Sequence, residues 1–203
     1  MSVLAAKVLD PRRVAVVLGL AIAALAVLGA VEAWRPGSGL TPFDLDGERN
    51  FPAIFSALLL LACAVLVVRL PRSVVSRPVT VVLSGIFALA SLDEAAEIHE
   101  KLERRLDVDW QLLYAPAFIA AIVAWSLFVV ALRRRGLSVT LVLASAGCWV
   151  ASQVLEALQW KDDGSQAAGY TWMMVTEEVL EMVGSALLLI ALLVVVRASR
   201  REG

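Results

Sequence analysis

Six apolar runs separated by short polar breaks dominate the chain. A helix needs about 20 apolar residues to cross the hydrocarbon core of a bilayer. The runs therefore predict membrane-spanning helices at about 14–34, 52–70, 78–99, 112–132, 138–159 and 174–196. The expected fold class is all-α: a polytopic six-transmembrane-helix bundle, with residues 1–203 forming a single membrane domain. The breaks carry recognisable punctuation. Arg35-Pro36-Gly37-Ser38-Gly39 ends the first run, Pro71 and Pro78 bracket the second turn, and Gly136 and Gly164 mark later ones. The first run, preceded by Lys7, Arg12 and Arg13, is longer than a signal-peptide core and reads as a retained anchor. Gly19, Ala23, Ala26 and Ala30 form a small-residue stripe on it, suited to close helix packing.

Composition supports burial in lipid. The chain is 60% hydrophobic, above the share of an ordinary soluble domain, and its mean hydropathy is +0.81. A net charge of −1 gives no reason to expect nucleic acid as a partner, which leaves membrane lipids. Cys63 and Cys148 both lie in apolar runs and read as small buried hydrophobes.

Charge changes the picture once it is counted by loop. Twelve of the 18 Lys and Arg residues fall at the two chain ends and in the second and fourth loops. Excess Lys and Arg marks the cytoplasmic side, so the N-terminus and C-terminus are both expected to be cytoplasmic, in the cell membrane. Of the 19 acids, all except Asp10 and Glu202 lie in the alternate loops or at the helix ends beside them. Residues 35–51 form an acidic outer loop, and Trp34, Trp110, Tyr114, Trp160, Tyr170 and Trp172 fall near the same boundary.

Candidate chemistry gathers at that outer level. The third run ends in Ser91-Leu92-Asp93-Glu94-Ala95-Ala96-Glu97-Ile98-His99-Glu100, the fifth carries Glu156, and the sixth opens with Glu177-Glu178-Val179-Leu180-Glu181. At 1.5 Å per residue, Asp93 and Glu181 both lie roughly 24 Å from the inner boundary. Glu97, Glu156 and Glu177 lie at roughly 30 Å on the same scale. In an unbroken helix Asp93, Glu97 and Glu100 share one stripe, and Glu177 and Glu181 share another. Stacked carboxylates beside lipid need a compensating metal, shared protons or basic partners. Asp93, Glu97, Glu156, Glu177 and Glu181 are accordingly the candidate ligands of a divalent metal ion, with Glu94 and His99 as catalytic proton carriers. Helical periodicity sets His99 roughly 120–160° from the Asp93 stripe. Solvated acids on helix ends that project beyond the bilayer are the competing reading, foremost for Glu100 and Glu103. Asp44-Leu45-Asp46-Gly47 holds part of a calcium-loop pattern without its downstream glutamate, and reads as a lid or extra ligand source.

The combination of DGERNFP, SLDEAAEIHE and EEVLEMVG resembles uncharacterised bacterial multipass membrane proteins. The resemblance spans most of the chain and implies a multipass fold without implying a reaction. Three functions stay open. The first is a metal-dependent membrane enzyme acting on a lipid or lipid-linked substrate; the second is a cation- or proton-coupled transporter using the same acids. The third is a non-catalytic scaffold or assembly subunit. The inner halves of the helices offer only scattered hydroxyls, such as Thr80, Ser84, Thr140, Ser145 and Ser185, so no complete proton path is visible. Reporter fusions check the orientation. A reporter active only in the cytoplasm is expected to work at either chain end and to fail within residues 35–51; the reverse pattern refutes the assignment.

Overall fold

The computed structural model describes residues 9–35, 42–47, 50–108, 110–161 and 164–202. Among the described residues seven helices follow one another: α1 (Pro11–Ala33), α2 (Phe51–Val68), α3 (Arg77–Ala96), α4 (Ile98–Leu106), α5 (Trp110–Leu132), α6 (Gly136–Gln159) and α7 (Tyr170–Glu202). All except α4 are long and apolar enough to span a membrane. Two of the starts show how short polar signals set helix ends. Asp10 caps α1 by accepting from the Arg12 N–H at 3.2 Å, and Pro11 fills the position where a missing N–H costs nothing. Asn50 caps α2 through the Ala53 N–H at 3.0 Å, and its amide donates back to the carbonyls of Asp44 and Gly47.

The third run departs from the expected unbroken helix at 78–99. Glu97 adopts a left-handed backbone, φ 52° and ψ 46°, which ends α3 and starts the short, strongly amphipathic α4. The last helix begins at Tyr170, four residues before the expected start, and its basic tail stays helical to Glu202. Between α6 and α7, Gly164 and Gly169 take the positive φ values, 76° and 85°, that let the connection fold back at Trp160 and Gln166.

The apolar patterning is nearly uniform around these helices, so packing is decided by small residues and hydroxyls. α7 is the axis. It packs on α6, α2 and α1, and Met182, Leu188, Ala191, Leu192 and Val195 are fully buried along it. α3 joins α2 to α5, and α5 meets α6 more lightly. Side-chain donors close these seams onto backbone carbonyls. Ser84 and Ser91 of α3 donate to Ala64 and Ala57 of α2, at 3.0 and 2.7 Å, and Ser145 of α6 donates to Gly184 of α7 at 2.7 Å. Such bonds contribute about 0.6 kcal/mol each on average between membrane helices. Cys63 is fully buried, and its thiol points to the Ser185 carbonyl of α7 at 3.6 Å.

α1 is peripheral and packs chiefly on α7. Its expected small-residue stripe forms the contact only in part, through the half-buried Ala26 and Ala30, of which Ala30 packs against the core. Gly19 and Ala23 are exposed, whereas Gly29 receives the side chain of Leu45 so closely that a Cβ there would lie 2.4 Å from its Cγ. At the other end of α1, the Arg12 N–H, aided by Arg197, holds the Asp10 carboxyl below the usual carboxylate range.

Gly184 is the tightest point of the α6–α7 seam, because a Cβ on it would stand 3.0 Å from Trp149 Nε1 and 3.2 Å from Cys148 Cβ. Gly184→Leu is expected to destabilise the bundle by about 1–3 kcal/mol. Gly85→Leu, on an exposed face with open space around it, leaves the thermal midpoint in detergent near that of the parent chain. Equal midpoints for the two variants refute this packing.

Candidate site at the acidic end of the bundle

The left-handed turn at Glu97 organises the site. Glu97 closes α3 by donating its N–H to the Asp93 carbonyl at 2.8 Å, and its own carbonyl receives the Lys101 N–H at 3.1 Å. The chain thereby turns back on itself between these bonds, and His99 comes to lie against Asp93. Asp93 accepts the His99 N–H on Oδ1 at 2.8 Å and His99 Nδ1 on Oδ2 at 2.9 Å. Tyr114 of α5 donates its hydroxyl to Asp93 Oδ1 at 3.0 Å. Three donors on one carboxylate stabilise its charged form and fix both its oxygens. Trp110, one helical turn before Tyr114, stacks beside the imidazole with a ring separation of 5.3 Å.

Opposite stands a carboxylate group from α6 and α7. Glu177 is buried and receives a hydrogen bond from Gln159 Nε2 of α6. The charges of Glu181, Glu156 and Asp46 act on Glu177. The Ser152 hydroxyl donates to the Trp149 carbonyl of its own helix at 2.8 Å and lies beside Glu181, on which the charges of Glu156 and His99 act. Electrostatics therefore couple His99 of the first group to Glu181 of the second. Glu178 sits within electrostatic reach of Glu181 and of Glu94, which places Glu94 on the same side of the site. Packing α6 on α7 is what aligns Glu156 with Glu177 and Glu181.

The floor is aromatic. Phe87 lies six residues inward of Asp93 on α3, roughly 9 Å along the axis. It packs on Trp125 of α5 and Trp149 of α6, with ring centroids 6.3 and 5.9 Å away. Trp125 and Trp149 meet at 5.5 Å, and Phe128 backs Trp125 at 6.2 Å. Beyond this floor, four of the scattered inner hydroxyls are spent on backbone carbonyls, Thr80 on Arg77 and Thr140 on Gly136 in addition to Ser84 and Ser145.

The expected shared stripe of Asp93, Glu97 and Glu100 is interrupted, because the helix breaks at its middle member. Glu97 leaves the site and lies 3.7 Å from Lys101. The structure instead joins Asp93 to His99, which regular periodicity had set on another flank. The expected metal centre of Asp93, Glu97, Glu156, Glu177 and Glu181 is not supported: no three His, Cys, Asp or Glu side chains among the described residues converge as a metal ion requires. Asp93 has both oxygens engaged by donors, and Gln159 occupies an oxygen of Glu177. Tyr114, Gln159 and Ser152 were not singled out from sequence as site residues. Their type carries no signal there, although Tyr114 follows Trp110 at i, i+4, the spacing that puts both on one face.

The DxDG segment is a structural turn. Asp44 Oδ1 accepts the Asp46 N–H at 3.1 Å, and Asn50 ties the segment to the start of α2. Asp46 also accepts the Tyr170 hydroxyl at 2.6 Å, which sets this loop beside the acidic group rather than around an ion. Glu48 and Arg49 lie outside the described residues.

These features define a polytopic all-helical chain, with six membrane-length helices, one short amphipathic helix and a polar site at one end of the bundle. The chain belongs to the family described as a domain of unknown function, DUF8692, and the match runs over residues 14–196. No curated protein and no solved structure matches it.

A left-handed backbone costs an L-residue about 1–2 kcal/mol, a penalty that glycine escapes. Glu97→Gly is expected to keep the site and raise stability by up to about 1 kcal/mol. Glu97→Val is expected to lower it by at least about 1 kcal/mol, since a branched side chain resists this conformation. Thermal midpoints in the opposite order refute the break.

Proposed function

We propose that the acidic end is a one-sided acid–base site facing outward from the cell membrane, both termini being cytoplasmic, and that it acts on a lipid or lipid-linked substrate. The observation that carries this reading is the Asp93–His99 pair, bonded twice across a strained turn. Backbone strain held against its cost collects at functional sites. With Nδ1 donating to Asp93, His99 Nε2 carries the lone pair that takes up a proton and returns it. Asp93 orients the imidazole and stabilises its charged form, and Tyr114 steadies Asp93. Glu156, Glu177 and Glu181 face this pair and bind the polar part of the substrate, with Glu94 at their flank as a second proton carrier. No step requires a metal ion.

The aromatic floor favours an enzyme over a through-membrane carrier. A transported ion or proton needs polar groups along its route, and the packing of Phe87, Trp125 and Trp149 inward of the site supports the enzyme reading.

The test uses the whole chain reconstituted in vesicles made from native lipid extract, with lipid species followed by mass spectrometry. Turnover of a lipid species is expected in the parent chain, and His99→Gln or Asp93→Asn lowers it by about 10²-fold or more. Tyr114→Phe has a smaller effect, and Glu97→Gln leaves turnover near normal. A proton or cation flux abolished by Glu181→Gln, without lipid turnover, overturns the enzyme reading in favour of transport. Activity lost on chelation and restored by a divalent ion overturns the metal-free chemistry.

A further inference from the structure

The opposite end of the bundle carries a second polar arrangement, unrelated to the acidic site. A cleft of about 380 Å³ opens where the start of α1, the start of α6 and the last turns of α7 meet. Arg12, Arg197 and Arg201 line it together with a single carboxylate, Asp10, and Leu137 and Val194 supply an apolar wall. Three guanidiniums against one carboxylate leave the cleft positive. Arg197 Nη1 meets Asp10 Oδ1 at 2.8 Å across the α1–α7 seam, which holds that guanidinium at the cleft. A guanidinium has five N–H donors, so one contact to Asp10 uses a small part of its capacity.

Depth identifies the class of ligand. Arg12 stands just before the first apolar run at 14–34 and Arg197 just after the last at 174–196, so the cleft lies at the end of both runs, where a bilayer's hydrocarbon gives way to headgroups. Leu137 is 64% exposed, and Val16, Val17 and Leu20 continue an exposed apolar surface down α1. An anion lodged here has charged donors above and hydrocarbon beside it, which suits a molecule that is itself a charged head on an apolar tail.

We infer that this cleft seats the phosphate of an anionic phospholipid between Arg12 and Arg201, with the acyl chains lying along the exposed faces of α1 and α6. Arginine forks match phosphate oxygens in pairs, and basic clefts between membrane helices are suited to such headgroups. The consequence is mechanical as well. α1 packs chiefly on α7, so a headgroup bridging Arg12 of α1 and Arg201 of α7 clamps the most peripheral helix to the axis of the bundle.

Thermal unfolding of the full chain in detergent tests this with phosphatidylglycerol, phosphatidylcholine and inorganic phosphate as the added probes. Phosphatidylglycerol is expected to raise the midpoint saturably, with little change from the other two. Arg12→Gln combined with Arg201→Gln weakens the apparent affinity by roughly tenfold or more, whereas Arg12→Lys with Arg201→Lys retains most of it. Equal shifts from the two lipids overturn the inference, and a shift produced by inorganic phosphate alone overturns a lipid as the source of the phosphate. Native mass spectrometry of the unaltered chain, released from mixed phosphatidylglycerol and phosphatidylcholine vesicles, does not depend on any variant folding. Enriched phosphatidylglycerol is the expected result, and retention in proportion to vesicle composition overturns the assignment.

Discussion

Lipid offers no hydrogen bonds, so the polar groups that these helices carry into it are held by partners within the chain, the buried Trp125 Nε1 being an exception. That constraint explains why the seams are closed as they are. Ser84, Ser91 and Ser145 each reach a carbonyl on a neighbouring helix, which fixes the rotation of α3 against α2 and of α6 against α7. The same constraint is more severe for carboxylates. Asp93 is bearable near the hydrocarbon only because three donors converge on it, and Glu177 because Gln159 and the polar face of α6 stand beside it.

Satisfying Asp93 is what shapes the site. Continued as a regular helix, the third run would present Glu97 and Glu100 in line with Asp93 and add like charge to like charge. The left-handed residue at Glu97 removes that alignment and returns His99 to Asp93, exchanging a modest backbone cost for two bonds to a charged acceptor. It also separates α4 from α3 as a helix of its own. The amphipathic segment Ile98–Leu106, too short and too charged to cross a bilayer, forms a separate helix that touches both α3 and α5.

The two ends of the bundle then follow opposite rules. At the acidic end, carboxylates gather at one level, and Phe87, Trp125 and Trp149 pack on one another inward of them. At the basic end, arginines surround a cleft open to the sides, with Asp10 pinned between Arg12 and Arg197. α7 connects them, placing Glu177 and Glu181 near one end and Arg197 and Arg201 at the other.

How much of this is legible without coordinates depends on the range of the interaction involved. The six spans, the gathering of acids at one end and the common level of Asp93 and Glu181 follow from apolar run lengths and a constant helical rise, properties local to each segment. The sequence alone therefore determined the class of fold and the height at which to look for chemistry. Which side chains meet at that height was decided only by the tertiary structure. Regular periodicity separates His99 from Asp93, and a left-handed glutamate carries no local signature, since the conformation is held by long-range satisfaction of Asp93 through Tyr114 of another helix. The metal centre expected from sequence finds no support among the described residues for the same reason. Carboxylates at one level form an ion's cage only if helix rotation aims them at one point, and rotation here is set by the seams of α2, α3, α6 and α7.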